Sequence, residues 1–323
     1  MKILVTGAGA LLGQGIIRSI QRSALGATIV AVDPSPQAVG LYWADRAHLI
    51  PMASDPAYMD VIRALLATER PDVVLIGTDI ELPLFARERA ALEAEFSTAV
   101  LVSDERVTAI ANDKWLTNQF LRERGFPHPA ACLPGDEEKL IELVGFPLLV
   151  KPRVGARSVG VGVVHDRDAL RAALAGRSDL VIQEYVATHA EEYTAGALRF
   201  DGQEVQSIVM RRDLRDGNTF RAFVEDYPEF NEEIRRLANA LAPYGPANFQ
   251  FRSDNGVVKV FEINGRFSGT TPLRARVGFN EVEMAVRFLL NGTPLSAPVV
   301  QTGVTLLRYW DEQVVDTRHA FDG

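Results

Sequence analysis

The sequence predicts an α/β unit followed by an α+β region. Three observations predict it. Strand-like apolar runs alternate with helical spacing throughout residues 1–111, the pattern of parallel strands with crossover helices. After Pro147 the apolar runs crowd together, separated by short turns or one helix, which is the spacing of mixed or antiparallel sheet. And 323 residues exceed one ordinary core and suit two or three domains.

The elements follow in order. Residues 2–6 (KILVT) form an apolar run that enters a glycine-rich turn, and Ile16, Ile17 and Ile20 then recur at helical spacing. Residues 28–32 (TIVAV) read as a second strand ending at Asp33. Residues 57–67 read as helix, 72–76 (DVVLI) as strand and 81–95 as helix. A helix over 113–124 is stopped by Gly125 and Pro127. A charged helix, DEEKLIEL, carries Lys139. Apolar runs at 147–151, 160–164, 180–186, 193–200, 204–210, 246–252 and 257–263 predict the later strands. Residues 229–243 predict a helix. So do 280–290, with Asn280 as N-cap, Glu283 completing a box-like pair, and Asn291 and Gly292 closing it.

Composition narrows the function classes. Apolar residues at 47% and charged residues at 24% are those of a soluble globular protein. A net charge of −8 argues against broad affinity for nucleic acid or anionic membrane. Cys132, the sole cysteine, leaves no intramolecular disulfide and no cysteine-rich metal site, and reads as a small buried hydrophobe. The apolar N-terminus reaches Gly7 too early for a signal-peptide core or a membrane span, and no other run approaches that length. A cytoplasmic location is expected. Basic residues are mostly arginine, and the five lysines are Lys2, Lys114, Lys139, Lys151 and Lys259. Where lysine persists in such a chain, a position that demands a compact point charge is one reading.

Gly7, Gly9 and Gly13 follow the first strand and open a helix, with Asp33 placed for a ribose hydroxyl. The spacing is G-x-G-x-x-x-G, because Leu12 stands where a dinucleotide fingerprint has its third glycine. A sugar-epimerase or short-chain dehydrogenase reading would want Tyr-x-x-x-Lys, and none of the seven tyrosines has a lysine four residues later. Three readings stay open for the loop: an NAD(P) site and hence an oxidoreductase, a tight turn with close helix packing, or a substrate-facing loop.

A stronger series lies in the remaining two thirds. Asn112, Asp113, Lys114 and Trp115 start a helix. Lys151, Pro152 and Arg153 end a strand, and a loop with Gly155, Arg157, Ser158, Gly160 and Gly162 leads into the next. Two lysines and a glycine-rich loop suit a polyphosphate, since lysine neutralises oxygens and glycine lets backbone N–H groups approach. The run LVIQEYV at 180–186 ends in Glu184, Tyr185 and Val186, whose backbone groups would meet an adenine edge. Glu192, after Glu191, would accept ribose hydroxyls. Residues 245–252 form a strand bearing Asn248 and Gln250, and residues 257–266 a second ending in Glu262, Asn264 and Arg266. Strand alternation puts Glu262 with Asn264, and Asn248 with Gln250. Paired across a hairpin they make an oxygen-rich patch beside Arg266, which suits Mg²⁺. A solvent-facing polar face is the plainer alternative.

The order NDKW, FPLLVKPR, GARSVGVGV, VIQEYV, EEYT, ANFQF, EINGRFSGTTP resembles the ATP-grasp superfamily. It is most similar to the carbamoyl phosphate synthase large-subunit type and its short, single-unit relatives, across almost the entire chain. The resemblance implies an N-terminal pre-ATP-grasp, Rossmann-like domain over 1–112, a small lid over 113–186 and a large lobe with the metal site over 187–323. It implies ATP phosphates on Lys114 and Lys151 with Arg157 and Ser158 of the loop, adenine at Glu184, Tyr185 and Val186, and ribose on Glu192, with Glu191 as the alternative. It implies two Mg²⁺ ions, with Mn²⁺ as a substitute, on Gln250, Glu262 and Asn264, and a transferred phosphoryl group stabilised by Arg266 and Asn264. The late loop, Gly265 followed by Phe267–Thr271, departs from the carbamoyl phosphate synthases, and neither a duplicate unit nor an amidotransferase domain is expected.

The implied activity is carboxylate–amine ligation through an acyl phosphate, with carboxylate or carbamate phosphorylation as the alternative. Small-molecule carboxylate and amine substrates are the expected partners, along with a homodimer. The acceptor site is expected between the glycine loop, the 77–84 loop and the 266–276 loop. Asp79 and Glu81 would hold an ammonium group there, and Arg274 or Arg276 a carboxylate. Alternatively, Asp79 caps the helix in which Pro83 takes an early position.

Overall fold

The computed structural model describes residues 1–155, 159–186, 192–254 and 256–316. The first unit runs β1 (Lys2–Val5), α1 (Leu11–Gln21), β2 (Thr28–Asp33), a 3-10 turn (Val39–Trp43), β3 (Arg46–Leu49), α2 (Tyr58–Glu69), β4 (Val73–Leu75), α3 (Leu82–Phe96), β5 (Ala99–Leu101) and α4 (Glu105–Asn112). Its sheet has the order β3-β2-β1-β4-β5, and every pairing is parallel. Alternation sorts the two faces. Ile3 and Val5 join α1 residues Ile16 and Ile17 in one core, while Leu4 joins Ile62 of α2 and Phe85 of α3 in another.

Next come α5 (Lys114–Glu123), β6 (Ala131–Cys132), α6 (Glu137–Val144), β7 (Leu148–Pro152), β8 (Gly162–Val164), α7 (Arg167–Leu174) and β9 (Leu180–Glu184). The four strands form an antiparallel sheet ordered β6-β9-β7-β8. Leu140 of α6 and Leu170 of α7 pack against Leu148, Val150 and Ile182. Cys132 belongs to this core, and its burial pushes the thiol up to about 12.

The last elements are β10 (Glu192–Arg199), β11 (Gln206–Arg215), β12 (Asn218–Val224), α8 (Pro228–Leu241), β13 (Gly245–Asp254), β14 (Val257–Asn264), α9 (Thr271–Arg276), α10 (Glu281–Asn291) and β15 (Val304–Leu307). They build an antiparallel sheet ordered β14-β13-β10-β11-β12-β15. One face carries Tyr193, Ala195, Phe249, Phe251 and Ile263, covered by Ile234, Leu237 and Leu241 of α8. Helix α5 buries Phe120 and Leu121 in this same core, so the first residues of the 113–186 segment pack with the large sheet. A further contact joins the large sheet and α10 to the first unit: Phe200 stacks on Phe288 of α10 at 4.3 Å, and both belong with Ile3 and Ile16 in one apolar cluster.

Several elements differ from the sequence pattern. Strand β3 (RAHL) alternates polar and apolar residues over only four positions, and β12 and β15 lie outside the expected runs. For α10 the expected cap is present, with Asn280 Oδ1 accepting from Glu283 N at 3.3 Å and Gly292 in the left-handed region. Glu283 does not complete a reciprocal box; its carboxylate takes Arg287 and Ala24 N instead.

Candidate active site

The site face is fixed by strand register. Directly paired residues share a face, so rows can be read across the sheet. One row is Asn264–Asn248–Gly196 and the next is Glu262–Gln250–Thr194. A bulge between Gln250 and Phe251 shifts the β13–β14 register, so the third row is Lys259–Arg252–Glu192. Strict alternation would put Lys259 opposite Glu262; the extra residue, Phe261, brings it to the same side. The shared face expected for Glu262, Asn264, Asn248 and Gln250 is observed.

Glu262 Oε1 takes Gln250 Nε2 and Asn264 Nδ2, each at 3.3 Å. Among the described residues no lysine or arginine comes within salt-bridge distance of it. Two long bonds from neutral amides leave most of a carboxylate's acceptor capacity unused. The donor set is one carboxylate and two amide side chains, and no cluster of three His, Cys, Asp or Glu occurs among the described residues. Such a set fits Mg²⁺ that completes its shell with water and substrate phosphates, rather than an all-protein cage. Asn248 lies deeper. It is 1% exposed and accepts from Thr194 Oγ1 at 3.0 Å and Arg274 Nη1 at 3.2 Å.

Two lysines converge on this patch. Lys151, on β7, is 4% exposed and donates to Phe261 O at 3.3 Å. Burial pushes its ammonium down to about 8; Glu262 opposes that shift and Lys114 adds to it. Lys114 Nζ donates to Gly155 O at 2.7 Å. Asp113 ties their segments together. It caps α5 through Trp115 N at 2.8 Å and holds Arg153 Nε at 3.0 Å. Burial raises the Asp113 carboxyl, but Arg153 and the cap amides overcome this and hold it below the usual range. Arg157, Ser158 and Glu191 lie outside the described residues.

The nucleotide-edge candidates are held by basic partners absent from the sequence expectation. Glu184 Oε1 pairs with Lys259 at 2.9 Å, and its Oε2 accepts from Ala130 N at 2.9 Å. Val186 O accepts from Arg252 Nη1 at 2.5 Å, and Tyr185 adjoins that guanidinium. Glu192 lies in a fork, with Arg212 Nη2 at 2.8 Å on one oxygen and Arg252 Nη2 at 3.0 Å on the other. Arg212 was legible in principle: it continues the alternation of buried Ile208 and Met210 along β11.

The expected substrate residues divide. Asp79 reaches the site, where its oxygens take Arg266 Nε at 2.7 Å and Nη2 at 3.1 Å. It does not cap α3; the cap position is Glu81, without a side-chain cap bond. Glu81 is 3% exposed and enclosed by three hydroxyls, Thr6 at 2.7 Å, Thr78 at 2.6 Å and Tyr58 at 2.5 Å. Burial raises its carboxyl despite these donors. The expectation that Glu81 faces a substrate is corrected: it anchors the loop that carries Asp79. Arg274 is likewise corrected. It is 0% exposed and paired with Glu281 at 2.9 Å, beneath the site. Arg276 is exposed at the end of α9.

The glycine loop is closed by its own packing. Asp33 accepts from Gly9 N at 2.7 Å and Ser35 N at 2.9 Å. A Cβ on Gly13 would lie 2.1 Å from Gly7 O, and one on Gly77 1.9 Å from Thr6 O. Both glycines serve close helix and loop packing, as the tight-turn reading expects.

Comparison with known proteins gives the class. Residues 3–101 match the profile of a PylC-like N-terminal domain, residues 111–242 that of a RimK-like ATP-grasp domain, and residues 177–311 that of ATP-grasp in the biosynthetic pathway with Ter operon. The chain therefore carries an ATP-grasp domain behind a PylC-like N-terminal domain.

Among curated proteins it is 28% identical over 327 residues to the carbamoyl phosphate synthase large chain of Thermomicrobium roseum, covering 90% of this chain and 29% of that one. It is 31% identical over 230 residues to the formate-dependent phosphoribosylglycinamide formyltransferase of Burkholderia pseudomallei, covering 69% of this chain and 52% of that one. The chain thus spans about half or less of the length of these relatives.

Solved structures share the fold. The N5-carboxyaminoimidazole synthetase of Staphylococcus aureus complexed with ADP superposes with a TM-score of 0.74 at 16% identity, over 93% of this chain and 79% of that one. The L-amino acid ligase of Bacillus licheniformis does so with 0.68 at 19%, over 91% and 77%.

Proposed function

We propose that the protein is an ATP-dependent carboxylate–amine ligase acting through an acyl phosphate. The observation that carries this reading is the register that sets Gln250, Glu262 and Asn264 on one face, with Lys151 and Arg266 at its edges. A substrate carboxylate oxygen attacks the γ-phosphorus of ATP and ADP leaves. The amine nitrogen, once its ammonium form has given up one proton, attacks the acyl carbon; the phosphate departs with the former carboxylate oxygen, and the nitrogen loses a second proton. Little covalent chemistry falls to the protein, so its groups act by position and charge.

Gln250, Glu262 and Asn264 would hold Mg²⁺, which neutralises charge on the phosphates. Lys114 and Lys151 bind phosphate oxygens as point charges, together with Arg157 and Ser158. Glu184, Tyr185 and Val186 border the adenine and Glu192 the ribose. Arg266, oriented by Asn264 Oδ1 at 2.9 Å, meets the transferred group. The incoming carboxylate displaces Asp79 from Arg266, which leaves Asp79 to hold the ammonium of the amine.

We further propose domain boundaries at 112/113 and 186/187, a cytoplasmic location and a homodimer. Since α5 packs with the large sheet, the moving lid comprises the four-stranded sheet and its two helices. No helix among the described residues is long and apolar enough to cross a membrane. The test is ADP release from Mg-ATP across pairs of amino acids and small carboxylates. ADP formation that requires both members of a pair supports the reading; none with any pair sinks it. A second reading, phosphorylation of a carboxylate or carbamate without ligation, is favoured by the 28% identity to carbamoyl phosphate synthase over 90% of the chain. ADP release on bicarbonate alone would select it.

A further inference from the structure

The guanidinium of Arg212 touches two groups that the proposed nucleotide complex needs for itself. Its Nη2 donates to Glu192 Oε1 at 2.8 Å and to Gln250 Oε1 at 2.6 Å. The first is the ribose candidate and the second a metal-ligand candidate. The side chain is 7% exposed, so water screens its charge weakly. A divalent cation on Gln250 Oε1 would sit within a few ångströms of that charge and be repelled. Arg212 also has donors to spare. Among the described residues its Nε is buried without a partner, and its Nη1 reaches only Thr219 Oγ1, at 3.4 Å. A buried donor without an acceptor is costly, and a planar fork with spare N–H groups matches phosphate oxygens.

We infer that Arg212 is a place-holding positioning residue: it stands on Gln250 where the metal goes, and turns to a phosphate of the nucleotide when Mg-ATP enters. The inference rests on the reading of this face as the nucleotide site. It makes metal binding conditional on nucleotide, since a cation arriving alone must displace a guanidinium that has nowhere to go. Arg252 does not share the role. It holds Glu192 from the other side and is tied to Val186 O.

The experiment measures Mn²⁺ binding without nucleotide, by the paramagnetic resonance signal of free Mn²⁺, and Mg-ATP binding by calorimetry. Wild type, Arg212→Met and Arg212→Lys are compared, with circular dichroism to confirm folding. Arg212→Met is expected to bind Mn²⁺ alone about tenfold more tightly than wild type and Mg-ATP about tenfold more weakly, the scale of one charge-assisted contact. Arg212→Lys keeps the charge but loses the fork. It should exclude Mn²⁺ as wild type does while binding Mg-ATP more weakly, and it stays informative if the methionine variant fails to fold. Weaker ATP binding without tighter Mn²⁺ binding in Arg212→Met would make Arg212 a plain phosphate contact and overturn the place-holding role. Wild-type behaviour in both variants would overturn the inference as well. Absence of Mg-ATP binding by the wild type would remove the nucleotide-site reading itself.

Discussion

Arg266 and Asp79 meet across the boundary between the parallel sheet and the large antiparallel sheet, with Nε–Oδ1 at 2.7 Å and Nη2–Oδ2 at 3.1 Å. They are 187 residues apart in sequence. The pair brings the proposed phosphoryl-stabilising residue against the loop expected to receive the second substrate.

Asp79→Asn should therefore act on catalysis rather than on nucleotide affinity. The expected outcome is a kcat/KM for the amine lowered by roughly tenfold or more, an energy of about 1.4 kcal/mol, with calorimetric ATP affinity little changed. Because the Asp79 side chain is 41% exposed, the melting temperature should move only slightly. Unchanged steady-state constants would leave Asp79 a surface partner of Arg266 and nothing more.

The metal patch makes a sharper demand. Glu262→Gln or Asn264→Ala should reduce ADP release by roughly 10²–10³, the range seen when one preorganised charge-stabilising group is removed. The circular dichroism spectrum should stay native, since both side chains lie on the site face rather than in the core. Near-normal turnover of either variant at ordinary Mg²⁺ would contradict the assignment.

Lys151 gives a pH signature. Burial pushes its ammonium down to about 8, so near pH 8 part of the population carries no proton there. Phosphate oxygens favour the charged form, so ATP binding near pH 8 should draw a proton onto Lys151. Calorimetry in buffers of different ionisation enthalpy should show net uptake for wild type and none from this group in Lys151→Met. Affinity for ATP should fall as pH rises above about 8. Lys151→Ala should lose about 1.5–3 kcal/mol of ATP binding, whereas Lys139→Ala should lose little, because Lys139 only pairs with Asp136 on the surface. Equal proton uptake in wild type and Lys151→Met would remove Lys151 from the phosphate site.

Glu81 should behave as a structural group. Glu81→Ala strands the hydroxyls of Thr6, Thr78 and Tyr58, at about 1–3 kcal/mol for each group left unsatisfied, and should lower the unfolding midpoint markedly. The sign of the pH dependence follows from the raised carboxyl. A raised folded-state value gives stability that is full below the ordinary carboxylate range and is lost as pH rises through the folded value. Wild type should therefore lose ground to Glu81→Gln in urea unfolding as pH rises above the ordinary carboxylate range. A difference that stays constant with pH would contradict the raised carboxyl.

The hairpin of β13 and β14 was legible because strand alternation is local: Gln250, Glu262 and Asn264 needed only a register to meet. Lys114 and Lys151 stood out because lysine is scarce in this chain. Lys259 was not legible as a site-facing residue, since the bulge that turns it leaves no mark in the alternation of VVKVFEIN. Arg252 looks like the polar residue of any half-exposed strand; Arg212 shares the buried alternation of Ile208 and Met210, but only the cross-strand rows place either guanidinium beside Glu192. Glu81 and Arg274 were misplaced for a related reason. Charge in the sequence does not say whether a side chain turns to solvent or is buried with its partners, here three hydroxyls and Glu281.

The most direct test of carboxylate activation follows the oxygen. With a carboxylate substrate found by the ADP-release screen and labelled with ¹⁸O, the account predicts that one ¹⁸O appears in the inorganic phosphate for each amide formed, read by mass spectrometry. Phosphate free of label, alongside amide product, would mean that the carboxylate never attacked the γ-phosphorus and would contradict the account.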